Sequence, residues 1–245
     1  MPGELERREE VGEVVGRLAA RDLDTAERGR LLVRLTGLLG SGARSVGARA
    51  AITGSWLAEL VDQVAPHIPV RDLVTLRSHH EGLSGDELAA SLIRSATRAT
   101  AGVGAAGGAL AAVQHAAPPT LLAAPLQLTA ETLAVVAVEL KLVAELHVVY
   151  GRAPVGSRSQ VATAYIGAWA AKRGVDPSAG LPPLGVVLGV AARQQLRRRL
   201  ARRLARQATT MAPLLTGAVA GAELNRRETR SLGEAMLEDL RRRQG

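Results

Sequence analysis

Three carboxylates and a lysine interrupt the most apolar stretch of this 245-residue chain: Glu131, Glu139, Lys141 and Glu145, within LQLTAETLAVVAVELKLVAELHVVY, Leu126–Tyr150. Carboxylates carried into an apolar helix can bridge a metal pair, or serve as acid and base where burial raises a pKa. A dinuclear site asks for Glu-x-x-His, which puts both ligands on one inward face. The chain has Glu145-x-His147 instead. At helical spacing, with Glu131 at zero, Glu139 falls at about 80°, Glu145 at about −40° and Lys141 at about −80°. His147 points away, at about 160°. The residues read as a polar stripe, paired to Lys141 or to an arginine of another helix. No metal or cofactor is expected.

The second group is cationic. Arg193–Arg206, RQQLRRRLARRLAR, holds seven arginines and no acid, seven of the net eight positive charges. The rest of the chain carries 24 Lys+Arg against 23 Asp+Glu and is nearly neutral. On a helix, Leu196, Leu200 and Leu204 form one narrow stripe, and Arg197, Arg198, Arg199, Arg202, Arg203 and Arg206 fill the remaining circumference. Such a helix lays a thin apolar face down and offers guanidinium forks to phosphate. Its partners are lipid headgroups, an acidic protein, or acidic helices of the same chain. Nucleic acid fits less well, because only 2% of residues are aromatic and no reading motif is present.

Other chemistry finds little support. The chain has no cysteine, so disulfides, thiolate catalysis and cysteine zinc sites are excluded. No nucleophile elbow, Walker loop or dinucleotide fingerprint occurs. His79-His80-Glu81 reads as a solvated turn.

Helices must position these groups. With no Phe, the core has to be Ala, Leu and Val packed closely, which favours helices over a sandwich. Asp24-Thr-Ala-Glu27, Ser84-Gly-Asp-Glu87 and Ser157-Arg-Ser-Gln160 place a capping oxygen three residues before Glu or Gln. Gly151 and Gly174 stand where helices should stop. Pro182-Pro183 can open a helix, and Pro213 should restart the one after it. The expectation is an all-α, multi-helix bundle of Ala/Gly-rich, closely packed helices without β-sheet. Its helices lie near 4–20, 25–40, 43–65, 84–114, 125–150, 157–173, 183–209 and 213–242. Gly40–Gly47 is read as a flexible connector. The loop Pro66–Gly82, with room for a short helix, is the candidate boundary between an N-terminal segment 1–70 and a domain 71–245. Glycines four apart recur at Gly104/Gly108, Gly185/Gly189 and Gly217/Gly221. Each flattens a helical face so that another backbone can approach, in a soluble bundle or in a membrane.

No apolar stretch reaches the roughly 20 residues of a membrane-spanning helix, and no secretory leader opens the chain. A cytoplasmic protein is expected.

Leu142–Gly151, an apolar helix closing in Tyr150-Gly151 after a Gly/Ala-rich segment and Pro118-Pro119, resembles the EcsC-like family of bacterial proteins. The run from Pro213 through Gly217, Gly221 and Asn225 to Leu232-Gly233 is similar to that family's ending, and Leu88–Gly108 to its Gly/Ala-rich approach. The resemblance spans roughly 72–240. It implies a membrane-linked or lipid-contacting role and brings no catalytic residues. One departure is Arg152-Ala-Pro154, where the family commonly has an acid. The resulting expectation is a non-enzymatic, peripheral membrane protein at the inner face of the membrane, binding anionic lipid through Arg197, Arg198, Arg202, Arg203 and Arg206. The alternative is a soluble interaction module, monomeric or homo-oligomeric, docking an acidic protein partner.

Overall fold

A computed structural model describes residues 2–20, 23–46, 55–115, 123–173 and 215–243. Among them are eight α-helices and no strand. The order is α1 (Pro2–Leu18), α2 (Thr25–Val46), α3 (Ser55–Val64), a 3-10 turn (Ala65–His67), α4 (Leu73–His79), α5 (Gly85–His115), α6 (Ala123–Val149), α7 (Arg158–Lys172) and α8 (Leu215–Arg242). The helix expected near 183–209, together with Gly174, Pro182, Pro183 and Pro213, lies outside the described residues.

Local signals account for several boundaries. Glu27 N–H donates to Asp24 Oδ1 at 2.7 Å, so Asp24 caps α2. Ser157 and Gln160 form a reciprocal capping box at the start of α7. At the end of α6, Gly151 takes φ +65°, Arg152 N–H reaches back to His147 O and Gly151 N–H to Val148 O. This is a Schellman stop, and a left-handed residue there favours glycine. Within the loop Pro66–Gly82, Asp72 Oδ1 accepts from Thr75 N–H at 2.8 Å and starts the short α4.

The join between the helices expected near 25–40 and 43–65 departs from expectation: residues 43–46 belong to α2, and the next described helix is Ser55–Val64. In place of a connector beginning at Gly40, α2 runs on to Val46. Leu39 is buried in the core and Gly40 faces Leu126, while Ser41 Oγ donates to Leu38 O at 2.7 Å. A helical glycine costs about 1 kcal/mol, which burial of a neighbouring leucine outweighs.

The core is built around α6. Every residue from Gln127 to Leu146 is buried, so this helix is enclosed all round. It packs against α1, α2, α3, α5, α7 and α8. Leu18, Leu32 and Leu35, before residue 70, belong to the same cluster of buried side chains as Leu92, Leu133, Trp169 and Met236 after it.

The longest packed seam joins α5 and α8. Contacts pair Gly104 with Gly221, Thr100 with Asn225, Ile93 with Gly233 and Asp86 with Arg241, so the two helices run antiparallel. A Cβ built on Gly104 would lie 2.5 Å from Gly221 O, and one on Gly221 2.9 Å from Gly104 O. Backbone therefore meets backbone, which only glycine permits. Beside this contact Asn225 Nδ2 donates to Thr100 O at 3.0 Å, and Thr100 Oγ1 donates to Asn225 O at 3.4 Å. The buried amide ties the helices through their main chains.

Candidate functional site

The enclosed position of α6 decides what its ionic residues can do. Glu139 is 0% exposed, and three donors from two other helices converge on it. Trp169 Nε1 donates to Oε2 at 2.9 Å, Thr229 Oγ1 to Oε1 at 3.0 Å, and the Arg173 guanidinium also to Oε1. Glu139 thus binds α7 and α8 to the core helix. The arginine, indole and hydroxyl take three of the carboxylate's roughly four acceptor sites, and the enclosed side chain is out of reach of solvent.

Six residues on, Glu145 is 1% exposed and serves another part of the fold. Arg71, from the segment leading into α4, spans both of its oxygens, Nε to Oε1 at 2.8 Å and a terminal nitrogen to Oε2 at 3.3 Å. Lys141 Nζ lies 3.4 Å from Oε1 and donates to Pro69 O. The bidentate arginine fork and the lysine anchor the Pro69–Asp72 stretch to α6.

Glu131 faces a third direction. Gln127 Nε2 donates both to Glu131 Oε1 and to Gly107 O, each at 2.8 Å. Space for that carboxylate exists because residue 107 is glycine: an added Cβ would fall 2.2 Å from Glu131 Cδ. The stripe read from the sequence is therefore divided. The structure joins Lys141 to Glu145, gives Glu139 partners beyond α6, and pairs Glu131 with Gln127 of its own helix over Gly107. Among the described residues no three His, Asp or Glu side chains are grouped as a metal would require.

Histidines give no catalytic constellation. His147 stacks edge-on to Tyr165 with centroids 5.6 Å apart, and its Nδ1 lies 2.7 Å from Val143 O. Burial holds its pKa below the usual imidazole value. His80 departs from the solvated turn expected of it: it is buried, with Nδ1 2.7 Å from Ser91 Oγ. The turn is made by its neighbours, Glu81 at φ +54° and Gly82 at +78°, which swing His80 inward. Burial and a hydrogen bond to Asp86 push the Tyr150 hydroxyl up to about 12, so it acts as a donor at neutral pH.

Several of these partners have no signature in the sequence. Arg71, Arg173, Trp169 and Thr229 are 74, 34, 30 and 90 residues from the carboxylates they serve. Arg28 is another: it is buried, donating to Leu18 O and Ala20 O at the end of α1. Burial lowers its pKa, with Glu27 opposing.

Of the glycine pairs, Gly104 and Gly221 meet across the α5–α8 seam. Gly108 and Gly217 lie on the same two helices, whereas Gly185 and Gly189 lie outside the described residues. Arg197, Arg198, Arg202, Arg203 and Arg206 also lie outside them.

The described surface carries charge unevenly. Glu6, Glu9, Glu10 and Glu13 of α1 line an open groove of about 800 Å³ with Arg17, His67 and Pro69, and Glu10 is paired to Arg34. Arg94 and Arg98 on α5 and Arg226, Arg227 and Arg230 on α8 are exposed. No described helix is long and apolar enough to cross a membrane.

No family model matches the chain, and neither does any curated protein or solved structure.

Proposed function

We propose that the protein is a non-enzymatic helical module that associates peripherally with anionic membranes through Arg193–Arg206. One observation carries this reading: seven of the net eight positive charges sit in that segment. Elsewhere carboxylates are engaged by the bundle's own cations, as in Glu139–Arg173, Glu145–Arg71, Asp239–Lys172, Asp86–Arg241 and Glu223–Arg226. An arginine cluster in excess of its own chain's acids seeks an external polyanion. Near an anionic leaflet each arginine contributes about 1 kcal/mol. The resemblance of 72–240 to EcsC-like proteins points the same way.

The test is co-flotation with phosphatidylglycerol-rich and with zwitterionic vesicles at low and high salt. The reading expects binding to the anionic vesicles alone, weakened by salt. Replacing Arg197, Arg198, Arg202, Arg203 and Arg206 together by glutamine should abolish it. Unchanged binding by that variant would overturn the assignment to this segment. A protein that ignores all vesicles yet forms a stable assembly in light scattering would favour the soluble interaction module.

A further inference from the structure

We infer that the exposed ridge along the α5–α8 seam is a second anionic-lipid contact, and that it sets which face of the bundle meets the membrane. This rests on the lipid-binding reading above but on different residues. The antiparallel register is known from its contacts: Thr100 sits beside Asn225 and Ile93 beside Gly233. Arg98 of α5 is therefore level with Arg227 of α8, and Arg94 is about one helical turn further along, near Arg230. All four side chains are exposed, as is Arg226.

Five arginines face three nearby acids, Glu223, Glu228 and Glu234, a local excess of two positive charges. Among the described residues Arg94, Arg98 and Arg230 make no ion pair. Arg226 and Arg227 share one carboxylate, Glu223, at 2.7 and 2.5 Å. Exposed Glu234 and half-buried Glu228 are the nearby acids on α8. Five guanidinium groups lie along two packed helices, a rigid array rather than a flexible tail, and its charge complements a sheet of phosphates.

The placement of the acidic groove also favours a lipid surface as the occupant. The acidic groove belongs to α1, which packs on α2, α3 and α6, whereas α8 packs on α5, α6 and α7. The groove's carboxylates thus stand on a different helix from the five arginines, so an anionic plane that meets the ridge need not meet them. For nucleic acid the ridge offers no aromatic side chain on which a base could stack.

The experiment compares full-length variants by partition into phosphatidylglycerol-rich vesicles, with helicity checked by circular dichroism. Arg94→Gln/Arg98→Gln/Arg230→Gln removes three unpaired charges from the ridge. Arg30→Gln/Arg77→Gln/Arg158→Gln removes three exposed charges, without an ion pair among the described residues, from α2, α4 and α7. An arginine at the lipid surface is worth about fivefold in partition, so the ridge variant should lose at least about tenfold and the control less than about threefold. Equal losses would overturn the proposal, because bulk charge alone would explain them. A ridge variant that binds like wild type also overturns it, while the lipid reading then stands or falls on the Arg193–Arg206 variant. Failure of the wild type to bind any vesicle overturns both, and tighter binding to a short DNA duplex than to vesicles replaces lipid as the partner.

Orientation gives an independent readout. The chain has no cysteine, so Ala101→Cys and Val33→Cys each accept one environment-sensitive dye. Nitroxide-labelled lipid should quench the dye at position 101, three residues from Arg98, and spare the one at exposed Val33. The reverse pattern would refute the assigned face.

Discussion

Replacing Glu139 by glutamine tests whether one carboxylate holds three helices together. The side chain is fully enclosed, and its oxygens accept from Trp169 Nε1, Thr229 Oγ1 and the Arg173 guanidinium. Glutamine keeps the shape but turns one acceptor into a donor. In either amide orientation, an N–H of Trp169 or of Arg173 then faces another N–H. Arg173 also loses its counter-charge, and its Nε already lacks a hydrogen-bond partner. Breaking a buried ion pair from one side costs about 3–5 kcal/mol. Arg173 keeps 14% side-chain exposure, so water reaches part of it and the lower end, about 3 kcal/mol, applies.

For a chain of this size about 1 kcal/mol moves Tm by roughly 2–4 °C, so thermal unfolding followed by circular dichroism should fall by roughly 6–12 °C. Glu139→Leu should cost more, since no acceptor remains. Adding Arg173→Met to it removes the stranded cation and should restore about 1–2 kcal/mol. A Glu139→Gln protein within roughly 0.5 kcal/mol of wild type in urea unfolding would refute the hub. So would a double variant with strictly additive losses.

Two further perturbations follow from the packing. Gly104→Ala gains about 1 kcal/mol of helix propensity but forces a methyl against Gly221 O, an overpacking cost of about 1–3 kcal/mol, so net destabilisation of up to about 2 kcal/mol is expected in urea. Gly37→Ala meets nothing within 4 Å and should stabilise by about 1 kcal/mol in the same assay; a Gly104→Ala protein stabilised as much as Gly37→Ala would discredit the seam. His147 has a folded pKa below its unfolded value, so the unfolded chain takes up protons first as pH falls. Its contribution is therefore complete above the unfolded pKa of about 6.5 and is lost below it. Unfolding midpoints measured between pH 7 and 5 should decline less in His147→Gln than in wild type, and parallel curves would contradict the burial argument.

The fold class was legible in the sequence because its causes are local. A core without Phe and with few aromatics needs close-packed Ala, Leu and Val, and the caps at Asp24 and Ser157 and the stop at Gly151 each act within a few residues. Composition also marks Leu126–Tyr150 as the most apolar stretch, although its periodicity reads as a polar stripe on one side rather than as a helix enclosed all round. The segregation of charge into Arg193–Arg206 is likewise a property of composition.

Pairing was beyond the sequence. Equal angles on a helical wheel make Glu131, Glu139, Lys141 and Glu145 one stripe, but a helix surrounded on all sides meets different neighbours every turn. Glu145 therefore meets Arg71, Glu139 meets Arg173, Trp169 and Thr229, and Glu131 lies over Gly107. Those partners are brought in by long-range packing, and nothing near them in the chain encodes the meeting. His80 shows the same limit, since a left-handed Glu81 turns an apparently solvated histidine into the core. Glycine spacing marks Gly104 and Gly221 as places where a backbone could approach. That each is the other's neighbour was decided only when α5 and α8 packed antiparallel, because burial energy depends on which surfaces meet.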